Sequence, residues 1–395
     1  MRSSLPPEFA LVAACCRWPA SERRNEAIRK AASANIDWQR FLRVVARQRV
    51  APLVSNALHG LGVAPPDVVE ALVGIASQNV RQSIFYAAEA SRLQALFDEA
   101  AIPVVFLKGA TLAMLAYGTL AVKHGRDIDL LVPPDSIRRG ISLLQEAGYR
   151  PHYPIPAAPS LFRKWVATAK DFEFFDPVRG VVLELHWSLT ENAFHATQLV
   201  EHLCDRTVQV SENVQLRTLS DEVLFLYLCM HGARHGWFRL KWLADVAAFL
   251  AQLGEENLDR YIASAERWRM EPCVAQTILL CDMLFEADVV AAAAARFRKN
   301  ARYRWLERVA LKMMTRRNAE VESRTMAFGN FPVLVSHFLL GRGWRYFWAE
   351  SRLKLTNLQD MARFPLPRAL WFLYPVLRLP LFLVRRLKDR GIGMG

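Results

Sequence analysis

Residues 127–132, Asp-Ile-Asp-Leu-Leu-Val, set the tightest limit on what this chain can fold into. On a strand, side chains alternate between faces, so Asp127 and Asp129 share one face with Leu131, while Ile128, Leu130 and Val132 line the other. Two carboxylates roughly 6–7 Å apart on an apolar strand raise each other's pKa and weaken the sheet unless something neutralises them. Divalent cations answer that problem. Magnesium prefers oxygen ligands and keeps positions open for water and phosphate, and two ions about 3.5–4 Å apart form the usual clamp for phosphoryl displacement. Such a centre needs a third carboxylate from a neighbouring strand. Glu184, flanked by Leu183 and Leu185, is the best candidate, and Glu173 on the preceding strand is the second. An isolated Asp-x-Asp is a loose pattern that more often only ends a strand. Here the apolar surround, and a Lys-Gly pair closing an earlier β-branched run, argue for a functional constellation.

That earlier run is Ile102–Leu107, followed by Lys108-Gly109 and then by the helical stretch "ATLAMLAYGTL". A glycine between strand and helix lets the backbone approach a phosphate closely, helix N-terminal amides favour anions, and a lysine adds a point charge. A helix near 136–148 comes next, with Asp135 or Ser136 as its cap, and then a hairpin of 170–176 and 180–187 around "PVRG". In its second strand Val182, Glu184 and His186 share one face, and Val181, Leu183 and Leu185 the other. His186 therefore either supports a ligand or is a buried structural histidine.

On either side the hydrophobic period is helical. The organisation expected is an α+β protein with an N-terminal helical region (1–100), an α/β core (101–215), a helical domain closing its cleft (216–295) and a helical C-terminal region (296–395). His231 and His235 lie one turn apart in that closing domain, with Asp245 near the same face. No further nitrogen or sulfur donor completes a zinc set, so His231 and Lys241 are expected to face the cleft and a bound nucleotide. Trp237 and Trp242 read as core.

Charge separates the last quarter from the rest. The chain carries +13 overall, yet residues 296–395 hold +15 and the preceding residues −2. Basic residues interleaved with aromatics, as in "RFRKNARYRWLERVALKMMTRR" and 364–390, suit an anionic partner: nucleic acid, acidic peptide or an anionic membrane surface. Pro375, Arg378 and Pro380 break the apolar run too soon for a transmembrane segment. The six cysteines show no CxxC pair, and the N-terminal apolar run is too short for a signal. A cytoplasmic, reducing location is expected, with a peripheral membrane position as the variant.

The blocks "VVFLKGATLAMLAYG", "GRDIDLLVPPDSIRRGISLLQEAGY", "VVLELHWSL" and "LCMHGARHGWFRLKWLADVAAFL", between about residues 25 and 290, resemble the bacterial uncharacterised nucleotidyltransferase family of the DNA polymerase β superfamily. The resemblance implies a polymerase-β-like palm binding a nucleoside triphosphate, expected to be ATP, with two Mg2+ ions. It matches Gly109 to the glycine ending the first strand, Lys108 to the lysine of this branch, Asp127 and Asp129 to the metal-binding pair, and Glu184 to the third carboxylate. Ala110 stands where the superfamily usually has serine or glycine, which leaves Lys108 or Thr111 to compensate at the phosphates. Transfer of a nucleoside monophosphate to an acceptor hydroxyl on a small molecule, peptide, protein or RNA is expected, with release of pyrophosphate. The alternatives are a non-catalytic nucleotide-binding scaffold and a basic RNA- or membrane-surface binder.

Overall fold

The computed structural model describes residues 5–123, 125–192, 194–195, 205–316 and 331–355, with 366, 370, 373, 374, 376 and 377 beyond them. The basic stretch 364–390 lies largely outside the described residues, as do His124 and Cys204.

The chain opens with five helices: α1 (Pro7–Cys15), α2 (Glu22–Ala32), α3 (Trp38–Gln48), α4 (Ala51–Leu58) and α5 (Pro66–Glu99). Local chemistry sets their starts. The Asp37 carboxylate accepts from the Arg40 amide at 2.9 Å and caps α3. Pro66 occupies the first turn of α5, where a missing N–H costs nothing.

The period then changes and a seven-stranded sheet forms. Its elements are β1 (Val105–Phe106), α6 (Ala110–Tyr117), β2 (Ile128–Leu131), α7 (Ile137–Glu146), β3 (Arg150–Pro151), α8 (Pro159–Val166), β4 (Asp171–Asp176), β5 (Val181–His186), β6 (Asp205–Ser211) and β7 (Val214–Leu219). The strand order is β3-β4-β5-β2-β1-β7-β6. The sheet is mixed: β2 runs parallel to β5 and antiparallel to β1, while β1 runs parallel to β7. The expected hairpin is β4–β5, with Glu173 opposite Glu184. Neither Asp135 nor Ser136 caps α7 by a side-chain hydrogen bond; a short 3-10 turn, Pro134–Ser136, leads into it instead.

The β6–β7 hairpin was not anticipated. Its signal is present in the alternation of Val208 and Val210, then Leu216 and Thr218, around Glu212-Asn213.

After β7 the chain is helical: α9 (Asp221–Arg234), α10 (Leu240–Leu253), α11 (Glu255–Arg267), α12 (Glu271–Phe285), α13 (Ala291–Phe297), α14 (Ala301–Thr315), α15 (Phe331–Leu339) and α16 (Trp344–Leu355). Two cores result. One face of the sheet, with Leu130, Leu183 and Leu185, packs on Leu93 and Phe97 of α5 and Ile141 of α7. Gly140 brings α7 close: a Cβ there would stand 3.5 Å from both Leu185 and Phe97. Leu107 and Leu131 belong to the other core, with α9, α10 and α12.

Much of the basic excess is spent on internal ties. Arg302 Nε donates to the Leu339 carbonyl at 2.9 Å, and Arg342 lies 2.6 Å from Glu271. Arg234 lies 3.0 Å from the fully buried Glu350 of α16. Arg304, Arg308 and Lys312 of α14 face solvent at every fourth position. Among the described residues no helix is long and apolar enough to cross a membrane. The five described cysteines are all buried free thiols.

Candidate functional site

Register brings the carboxylates together. Asp129 and Glu184 are direct partners in the parallel β2–β5 ladder, and His186 follows on the same face of β5. Asp129 is 3% exposed and His186 is fully buried, whereas Glu184 is partly open to the cleft. The His186 Nε2 lies 3.0 Å from Glu184 Oε2 and 3.4 Å from Asp129 Oδ1. Among the described residues these three form a group whose donor atoms all lie within 4.8 Å of one another, close enough to share a cation.

Lysines flank the group. Lys108, at the end of β1, places its Nζ 2.9 Å from Asp129 Oδ1. Burial penalises the Lys108 ammonium, but Asp129 above all, with Tyr227 and Asp127, holds its pKa well above the ordinary value. Burial would likewise raise Asp129; Lys108 and His186 reverse that and keep it ionised. On the other side Lys170 lies 3.7 Å from Glu184 and pairs with Asp171. Burial opposes the charge of Glu184 too, yet the hydrogen bond to His186 and the Lys170 charge hold its pKa down.

Asp127 stands one residue before β2 and is only half-buried. It makes no hydrogen bond or ion pair among the described residues, and its charge acts on Lys108, Tyr86 and Lys241. Glu173, directly opposite Glu184 and so on the same face of the sheet, lies outside the group, exposed and 3.7 Å from His152.

Gly109 has φ +75° and ψ −128°, a conformation closed to other residues without strain, and it leads directly into α6. No side chain caps that helix. Thr111 is buried, and its hydroxyl donates to the Lys108 carbonyl at 3.2 Å, so it closes the turn from within.

Helices α9 and α10 roof the cleft. Burial, then the Lys108 charge, pushes His231 well below its ordinary pKa, and its ring lies 4.6 Å from that of His235. Trp242 packs against both rings, at 5.4 and 5.2 Å, and, partly buried, against the core with α9, α10 and α12. Trp237, by contrast, is fully buried. Lys241 is depressed to about 7 by burial, partly offset by Asp127. Asp245 does not join the histidines: it pairs with Lys123 and accepts from the Tyr117 hydroxyl at 3.0 Å.

Sequence reasoning missed Lys170, Asp171 and Tyr227. Lys170 immediately precedes β4, the strand paired with β5, and Asp171 opens it opposite His186; strand ends beside a carboxylate were the available signal. A cavity of about 620 Å3 lies elsewhere, lined by apolar residues such as Val104, Leu131 and Trp187, with Asp98 and Arg217. That acid and base pair with each other and leave no charge free for catalysis.

A cluster of carboxylates ringed by lysines, beside a glycine-led helix, can bind divalent cations and polyphosphate together. A family model described as "Uncharacterised nucleotidyltransferase" matches residues 34–286, more than half of the chain and all of the residues above. No curated protein matches.

Proposed function

The chain belongs to the uncharacterised nucleotidyltransferase family and is a nucleotidyltransferase enzyme acting on a nucleoside triphosphate, and from that premise we propose a polymerase-β-like palm that moves a nucleoside monophosphate onto an acceptor with release of pyrophosphate. The Asp129–Glu184 register pair with a lysine on each flank carries the reading. Asp127, Asp129 and Glu184 would hold two divalent ions, Mg2+ being suited to the all-oxygen donors Asp127 and Asp129. The chemistry of the donor set fits: Asp129, Glu184 and His186 present ligand atoms within 4.8 Å of one another. Bound there, such ions neutralise phosphate charge and lower the pKa of an attacking hydroxyl.

The protein's own groups do the rest. Gly109 and the first amides of α6 approach the phosphates, and Lys108 and Lys170 spread positive charge over them. His231, Lys241 and Trp242 close the cleft over the nucleotide, ATP being the expected one. Glu184 stands where it can take the proton of the acceptor hydroxyl as that oxygen attacks the α-phosphorus, and the α–β phosphoanhydride bond breaks in line. Most of the acceleration comes from positioning and charge neutralisation.

The acceptor is a hydroxyl on a small molecule, peptide, protein or RNA. The exposed Arg304, Arg308 and Lys312 favour an acceptor or partner that is anionic, and a cytoplasmic location suits the buried free thiols. Incubating the protein with labelled nucleoside triphosphates, Mg2+ and candidate acceptors tests the proposal. Transfer that survives in Asp127→Ala/Asp129→Ala would reject the assigned site.

A further inference from the structure

His186 is the group the sequence left undecided, and its surroundings decide it. The imidazole is completely buried and faces carboxylates from both nitrogens: Nε2 toward Glu184 at 3.0 Å and Asp129 at 3.4 Å, Nδ1 toward Asp171 at 3.8 Å. A neutral imidazole has one N–H and one lone pair. With the proton on Nδ1, the Nε2 lone pair points at two carboxylate oxygens. With the proton on Nε2, the Nδ1 lone pair points at Asp171. Either neutral tautomer leaves a lone pair against negative charge, a conflict that only a second proton on the ring or a cation between the groups removes. In addition, Nδ1 is buried without a hydrogen-bond partner.

A cation on the Nε2 side removes the conflict. Two ligands held at right angles, about 2.1 Å from one ion, stand about 3 Å apart, which is close to the two Nε2-to-oxygen separations observed here. Nδ1–H then faces the Asp171 charge at 3.8 Å, a looser form of the carboxylate–histidine–metal arrangement by which proteins fix the tautomer of a ligating imidazole. The local charge agrees: Asp127, Asp129, Asp171 and Glu184 outnumber Lys108 and Lys170 by two.

We propose that His186 is an inner-sphere ligand, through Nε2, of the cation shared by Asp129 and Glu184, with Asp171 positioning the ring, so that this position prefers a nitrogen-accepting ion such as Mn2+ over Mg2+. The proposal rests on the reading of the carboxylates as a cation site and adds its donor set and metal class. Imidazole nitrogen suits first-row transition ions, whereas Mg2+ demands oxygen and keeps its water. The position between Asp127 and Asp129 has only oxygen donors and remains the one suited to Mg2+.

The test uses the full chain without nucleotide. Calorimetric titration with Mn2+ and with Mg2+ is expected to show Mn2+ binding at least tenfold tighter, with His186→Gln losing most of that difference. Pulsed electron paramagnetic resonance of the Mn2+-loaded protein is expected to show nitrogen coupling that vanishes in His186→Gln. Asp171→Asn, which leaves all three ligands in place, is expected to weaken Mn2+ binding about 10–100-fold while keeping the nitrogen signal. Mn2+ binding with no nitrogen coupling would overturn the proposal, as would equal affinities for the two ions. If His186→Gln fails to fold, the wild-type spectrum and the Asp171→Asn titration still decide. Nitrogen-coupled Mn2+ without nucleotide transfer would reject the catalytic reading and leave this one standing.

Discussion

Lys108 Nζ lies 2.9 Å from Asp129 Oδ1, joining the end of one strand to the middle of its antiparallel neighbour inside the protein. The carboxylate that attracts a cation therefore also holds the lysine that attracts phosphate. Neither charge could be buried alone: an unpaired ion in the interior costs several kcal/mol, and removing one partner of such a pair typically costs about 3–5 kcal/mol.

Asp129→Asn is therefore expected to act twice. Nucleotide transfer should fall by roughly a hundred- to a thousandfold, and the melting temperature should drop because Lys108 loses its counter-charge. Glu173→Gln, on the exposed side of β4, should change neither. Initial rates and calorimetric melting of the two variants provide the comparison; equal losses would place the cation site elsewhere.

Gly109→Ala should strain the turn and little else. A Cβ there meets no atom within 4 Å, so the cost comes from the backbone alone, at φ +75°. About 1–3 kcal/mol of stability should be lost, with KM for the nucleotide rising more than KM for the acceptor, since the turn leads into the amides proposed to meet the phosphates. Denaturant unfolding and steady-state kinetics measure the two parts.

The docking of α16 should depend on Glu350. Its carboxylate accepts from Arg234 at 3.0 Å and from Asn192 at 2.9 Å, and lies 3.2 Å from Lys354. Glu350→Ala removes one of the two carboxylates on Arg234, leaving Glu191 at 3.3 Å, and should cost about 1.5–3 kcal/mol. Hydrogen exchange should quicken in residues 344–355 before it does in the β2–β5 ladder. Unchanged exchange across α16 would contradict this.

His195 should make the protein acid-sensitive. Burial, helped by the Arg234 charge, lowers its pKa from the ordinary 6.5 to about 4. Above about pH 6.5 neither the folded nor the unfolded chain protonates it. Between there and about pH 4 only the unfolded chain does, so stability falls as pH falls through that window, by up to about 3 kcal/mol. His195→Phe, packed against Tyr346 like the native ring, should flatten the stability–pH curve between pH 4 and 6.5. A curve as steep as the wild type's would assign the acid loss to other groups.

The order helix, α/β core, helix could be read from the change of hydrophobic period, and the cation-binding strand from its paired aspartates. Alternation placed Glu184 and His186 on one face of β5 before any register was known, because strand geometry leaves no other choice. The brevity of β1, only Val105–Phe106, could not be read in the same way. An apolar run of six looks alike whether it pairs along its full length or at two residues.

The sequence by itself determined which residues are charged within apolar surroundings, and hence that those charges needed partners. Only the tertiary structure decided how those charges pair. Register set Asp129 beside Glu184 and left Asp127 half-buried, outside the trio with His186. Packing of α9 and α10 set Trp242 against His231 and His235 and gave Asp245 to Lys123. The physical reason is one of range. Alternation and period are local, fixed by the backbone over a few residues, whereas the partner of a buried charge is fixed by segments more than a hundred residues away, as Lys123 and Asp245 are.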